Sequence, residues 1–154
     1  MNPNLSHGLR NNNPLNIRKS ATQWQGEIKG NDPSFCTFRD VFWGCRAAIK
    51  NLITHINQDK HRLIRTTIER EISRWAPSIE NVTSEYIRWV CDYIKLPPTT
   101  IIKPNDKNLI CMLLHAMARY ENGLNAEVHF YWFERAYEML HSTCTVDAAD
   151  PNAQ

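Results

Sequence analysis

Between residues 40 and 141, apolar side chains return every three or four positions, and prolines or a glycine cut the runs. That period is the repeat of one helical face, which commits this part of the chain to stacked amphipathic helices. The first stripe, in 40–57, is Phe42, Cys45, Ile49, Leu52, Ile53 and Ile56. The second, in 62–75, is Ile64, Ile68, Ile72 and Trp75, stopped by Pro77. The third, in 83–95, carries Tyr86, Ile87, Val90, Cys91 and Ile94, with Asn81 or Thr83 as its N-cap. "LPPTTIIKP" cannot stay helical and reads as a linker. The cleanest stripe, in 106–121, is Leu109, Met112, Leu113, Ala116, Met117 and Tyr120, with Asp106 as N-cap and Gly123 as the stop. An aromatic helix over 126–141 follows, and the tail 142–154 is expected to be disordered.

Residues 1–23 lack this period and read as an extended loop, with a short strand at "LNIR" as one option. "WQGEI" (24–28) and "SFCTF" (34–38) are strand-like and are joined across the turn signal "KGND". So short a hairpin makes no core of its own, and helices must cover it. The expected fold is mainly α (α+β), one domain over 1–141 with a small N-terminal antiparallel β-hairpin. A chain of 154 residues is long enough to bury about two thirds of its surface.

Composition removes several function classes. Hydrophobic residues are 42% and charged ones 22%, an ordinary globular balance. No apolar run approaches the ~18 residues of a membrane span, so no membrane partner is expected. The net charge is +2, and Arg62, Arg65, Arg70 and Arg74 are interleaved with Glu69 and Glu71. No one-sided basic face for nucleic acid results. "MNPNLSHGL" lacks a basic region followed by an apolar run, so synthesis in the cytoplasm without a secretory signal is expected. Five scattered cysteines without a CxxC pair form neither a disulfide framework nor a zinc site. Cys45, Cys91 and Cys111 fall on apolar faces and read as reduced, buried thiols. With no glycine-rich phosphate loop and no HExxH, neither a metal nor an organic cofactor is implied.

The chemistry concentrates in "GLRNNNPLNIR" and in two glutamates. Asparagine suits neither helix nor strand, because its amide competes for backbone hydrogen bonds. Asn11, Asn12, Asn13 and Asn16 either pin a loop through Asx turns or offer amides to hydroxyl and N-acetyl groups, and Arg18 suits a carboxylate. Trp24 and Trp75 either pack in the core or give flat faces for sugar rings. Glu121, in "HAMARYENG", ends a helix, and is either a solvated helix-end residue or, if partly buried beside Tyr120 at the negative end of the dipole, a carboxyl held in its protonated form. A protonated carboxyl is what a glycosidase general acid requires. Glu80 precedes a helix, where the ionised form is favoured, and its simplest role is charge complementarity with Arg74 as partner. Asp32 reads as an Asx-turn residue and His115 as a structural histidine.

Three motifs in order, "GLRNNNPLNIR…WQG…DPSFCTF…GCRAA", "RWAPSIENVTSEYI" and "ENG", resemble a family of phage and prophage lysozyme-like virion structural proteins. They span roughly residues 8 to 123. The family's first motif usually has Gly where Leu15 stands. A second similarity is to flagellar-type and autolysin-type glucosaminidases. There a helix ending in a catalytic glutamate precedes an "NNLFGIK" segment, a W-x-G hairpin and a further helix. Here "MARYENG" stands at the other end of the chain, the order a circular permutation produces.

The resemblance implies a lysozyme-like helical domain that acts on peptidoglycan glycan strands, cleaving a β-1,4 glycosidic bond at the cell wall or from a phage particle. On it, Glu121 is the general acid and Glu80 a second catalytic candidate. Asn11, Asn12, Asn13, Asn16, Arg18, Trp24, Thr83 and Tyr86 form the substrate groove. The alternative it carries is a non-catalytic virion or wall-binding component of the same fold, with phage particle components as partners.

Overall fold

The computed structural model describes residues 5–76, 80–123 and 128–142, and the expected tail falls almost wholly outside them. Helices dominate: α1 His7–Arg10, α2 Val41–His61, α3 Ile68–Trp75, α4 Glu80–Ile94, α5 Lys107–Asn122 and α6 Phe130–Leu140. A two-stranded antiparallel sheet, β1 Glu27–Ile28 and β2 Thr37–Phe38, pairs Glu27 with Phe38 and Ile28 with Thr37. The mainly α expectation with one small N-terminal hairpin therefore holds. The "LNIR" segment joins the hairpin through a single bridge, Arg18 to Phe35.

Local chemistry sets the helix limits. Asp40 accepts from the Phe42 amide at 3.0 Å, Thr67 from Arg70 at 3.2 Å and Asp106 from Leu109 at 3.2 Å. Each satisfies a donor that the first helical turn leaves open. Helix α5 ends on Gly123 at φ 94, a conformation that favours glycine. Helix α2 packs on α5 and α6, and α5 on α4. Ile49, Leu52, Ile110, Leu113, Leu114, Met117 and Phe133 are fully buried at these contacts. Leu15, Ile17 and Phe38 carry the N-terminal loop and hairpin into the same core.

Four expectations need correction. The N-terminal segment contains α1, capped by Ser6, because a single turn is too short to show a period. Helix α2 runs on to His61, and α3 starts only at Ile68. Between them, the Leu63 amide donates to the Lys60 carbonyl and the Ile64 amide to the Asp59 carbonyl, both at about 3 Å. That is a Schellman closure, and it places Leu63 at φ 58 with 95% of its surface exposed. Ile64, read as core, is exposed as well. Helix α4 begins at Glu80, so Asn81 and Thr83 are inside it rather than capping it, and Thr83 Oγ1 donates to the Ala76 carbonyl at 2.8 Å. The aromatic helix starts at Phe130 rather than 126, and residues 124–127 lie outside the described set.

The proline linker keeps extended pairing. Ile68 donates to the Thr100 carbonyl at 3.0 Å and Ile102 to the Thr66 carbonyl at 2.8 Å. Cys36, Cys45, Cys91 and Cys111 are buried free thiols, and Cys144 lies outside the described residues. No described helix is long and apolar enough to cross a membrane.

Candidate functional site

Three of the four loop asparagines are consumed by the fold. Asn13 is fully buried; its Nδ2 donates to the Ile17 and Cys36 carbonyls and its Oδ1 accepts from the Ile17 amide, all at 2.9 Å. Asn12, at φ 53, donates to the Phe38 carbonyl at 3.0 Å. Asn11 donates to Asp32 at 3.1 Å and accepts weakly from Thr37. Asp32 in turn caps the Ser34 and Phe35 amides at 2.8 and 2.9 Å, the expected Asx turn, and also contacts His7. These contacts hold the carboxyl of Asp32 well below the usual carboxylate range. The three amides therefore staple a loop to a hairpin and do not line a groove. Helix α2 takes part, because the Asn12 carbonyl lies so close to Gly44 that a Cβ there would come within 2.1 Å of it.

Asn16 behaves differently. At φ 52 it turns its amide away from the staple, and Nδ2 donates to Glu121 Oε2 at 3.3 Å across 105 residues of sequence. Glu121 is half-buried in the last turn of α5. Burial pushes its carboxyl up from 4.5 to about 8, against hydrogen bonds from Asn16 and Tyr86 that pull the other way. Glu121 is therefore mainly protonated at neutral pH.

Tyr86 is buried, stacks on Tyr120 at 4.2 Å, and its phenol is pushed up by burial and by the charge of Glu121. It faces Glu121 from the core and not from a groove. The neighbouring Asn122 donates to the Pro14 and Ala118 carbonyls at 2.8 Å and accepts from Ser6 at 2.6 Å. The end of α5 is thereby tied to the N-terminal loop.

Beside Asn16 opens a cleft of about 530 Å³. One wall is the loop, with Arg18, Ser20 and Thr22; the other is α2, with Lys50, Asn51, Thr54, His55 and Gln58. Arg74 and Trp75 of α3 close one end. Among the described residues, neither Glu121 nor any other carboxylate lines it. Arg18 lies over the Phe35 ring at 4.7 Å. Trp75 donates from Nε1 to the Leu15 carbonyl at 2.8 Å. Trp24 borders the cleft with only 8% of its surface exposed, so its ring is core and not a free face.

The α2 wall was missed by the sequence reading, although its signal is present. Asn51, Thr54, His55 and Gln58 follow the same three-four period as the apolar stripe, on the other side of the helix.

Under the α2–α3 side of the cleft sits a charged cluster. Asp59 accepts from Thr66 at 2.7 Å, from Arg70 twice at 2.9 and 3.0 Å, and from Arg74 at 2.6 Å. Arg70 is the largest influence holding the Asp59 carboxyl well below its ordinary range. Glu71 is fully buried and accepts from Arg74 at 3.4 Å, while His55 Nδ1 lies 2.5 Å from its other oxygen. Arg74 thus pairs with Asp59 and Glu71, and the side chain of Glu80, its expected partner, lies outside the described residues. His115 is edge-on to Phe130 and Phe133, and burial lowers its tendency to protonate. No group of three potential metal-ligating side chains occurs among the described residues.

No family model matches the chain. It is 39% identical over 124 residues to Protein P5 of Pseudoalteromonas phage PM2, an alignment covering 78% of this chain and 73% of that protein.

Proposed function

Because the chain belongs to the family of phage PM2 Protein P5, we propose that it is a phage protein directed at peptidoglycan, a glycosidase that cleaves a β-1,4 glycosidic bond. One observation carries the reading: Glu121 is a carboxyl kept protonated by burial and touched by the one loop asparagine that is not spent on the fold. A neutral carboxyl can give its proton to the glycosidic oxygen as the C1–O bond breaks. Asn16 steadies the acid through Oε2 and would steady the conjugate carboxylate more strongly once the proton has left. With no carboxylate lining the cleft, the substrate's own N-acetyl oxygen serves as the partner at C1. Asn16, Arg18 and Trp75 line the path of the glycan, while Tyr86 hydrogen-bonds Glu121 from the core and Thr83 holds the Ala76 carbonyl.

A second reading is favoured by the separation of Glu121 from the cleft's lining residues. The fold would then serve only to bind, as a component of a phage particle or a wall-recognition module.

Turbidity loss and muropeptide analysis on purified peptidoglycan decide between them, with the wild type beside Glu121→Gln and Glu80→Gln. The glycosidase reading expects wild-type cleavage, loss in a folded Glu121→Gln and retention in Glu80→Gln. Binding without cleavage by the wild type leaves the second reading standing.

A further inference from the structure

The imidazole of His55 meets the cleft on one edge and the fully buried carboxylate of Glu71 on the other, beside Arg74, which does the same from α3. We propose that His55 is a ligand-binding residue of the cleft. Its Nε2 is aimed at a hydroxyl or amide N–H of the glycan by the bond from Nδ1 to Glu71. This rests on the peptidoglycan reading and deepens it: the α2 wall, and not the asparagine triplet, supplies the polar recognition.

The arrangement follows from elementary constraints. A carboxylate with no exposed surface needs hydrogen-bonded partners, and among the described residues those of Glu71 are Arg74 and His55. Arg74 is fixed in turn by Asp59 at 2.6 Å, so the carboxylate cannot turn away from the imidazole. Trp75 meets the His55 ring at 6.1 Å and 75°, limiting its rotation. A carboxylate only accepts, so Nδ1 carries the hydrogen directed at Glu71 and Nε2 is left as the outward nitrogen of the ring. Neutral His55 then presents Nε2 as an acceptor, and charged His55 presents it as a donor. The side chain keeps 18% of its surface exposed, on the cleft side, and Nε2 has no partner among the described residues.

The surroundings suit a glycan. Asn51 and Gln58 stand one turn to either side of His55, with amides that both donate and accept and that have no side-chain partner among the described residues. Trp75 adds an aromatic edge at the end of the wall. A buried ion pair is weak evidence for stability, since apolar residues of similar volume would serve as well. Orientation of a cleft-facing imidazole gives the pair a purpose that packing does not.

The test uses the full chain carrying Glu121→Gln, so that substrate is not consumed. Binding to insoluble peptidoglycan and to a soluble β-1,4-linked N-acetylglucosamine tetramer is measured, and the ring nitrogens of His55 are followed by NMR. The expected result is an Nε2 resonance that moves on adding the tetramer. Adding His55→Ala should weaken binding about 10-fold, and His55→Gln, whose amide reaches a similar place, should recover part of it.

Glu71, with Arg74 bound to it, stands behind the ring, and the charged residues lining the same cleft are Arg18, Lys50 and Arg74. Glu71→Gln should mix the two tautomers of His55 while leaving the helical signal intact. If that variant does not fold, the His55 variants and the ring resonances decide. Unchanged binding in His55→Ala with motionless ring resonances overturns the proposal and leaves the glycan reading in place. If the Glu121→Gln parent binds neither ligand, both fall together.

Discussion

Asp59 and Glu121 occupy matching places, each within the last turn of a long helix, where the dipole disfavours negative charge. Both are withdrawn from water, yet they end in opposite protonation states. Asp59 meets two arginines and a threonine hydroxyl, so its ionised form is strongly held. Glu121 meets an amide and a phenol, neither charged, and burial prevails. Helix position does not set the state of a carboxyl; burial does, unless charged partners outweigh it. The two helix ends also differ in their caps, a strained leucine at Leu63 against a glycine at Gly123.

The contrast can be broken most forcefully at Asp59. Asp59→Ala leaves Arg70 and Arg74 without their main acceptor and should destabilise by about 3 kcal/mol, read by chemical denaturation. A loss below ~1 kcal/mol would mean that the clamp is a surface pair.

The pH dependence separates the two acids next. Asp59, with a lowered folded value, contributes stability above the ordinary carboxylate range, and this is lost as pH falls. Glu121 has the opposite sign. Between 4.5 and about 8 the folded state holds a proton that the unfolded state has released, so stability declines as pH rises through that window. Glu121→Gln should flatten the slope by nearly one proton and be the more stable chain above about pH 8. Equal slopes for the two chains would show Glu121 to be ionised throughout.

A third change reaches Glu121 through the loop. Gly44→Ala forces the Asn12 carbonyl, and with it the asparagine loop, away from α2. The expected cost is about 1–3 kcal/mol, although helix propensity alone favours alanine by about 1. The smallest effect is at the other helix end, where Leu63→Gly should relieve the left-handed leucine and stabilise by up to about 1 kcal/mol in the same assay.

Much of the fold was readable because its causes are local. The stripes of α2 and α5, the cap at Asp106, the stop at Gly123 and the Asx turn at Asp32 each depend on residues within a turn of one another. The second helix was misplaced because Ile64 kept the period while a Schellman closure three-dimensionally ended α2 beside it. The candidate site was legible in fragments. The helix-end position of Glu121 was readable in "HAMARYENG", but the burial that raises its carboxyl was not. The division of labour among the asparagines was not, since identical side chains differ only in what the hairpin places beside them.

By itself, the sequence determined a helical chain with a short hairpin, and through its 39% identity it determined kinship with a phage protein. Backbone hydrogen bonding and side-chain period act over a few residues, so they can be read in order along the chain. Only the tertiary structure decided that Asn16 meets Glu121 and that a polar stripe of α2 faces a cleft. It also decided that Glu71 lies buried behind His55. Desolvation and partner charge depend on which distant segments exclude water from a group, and no local pattern records that.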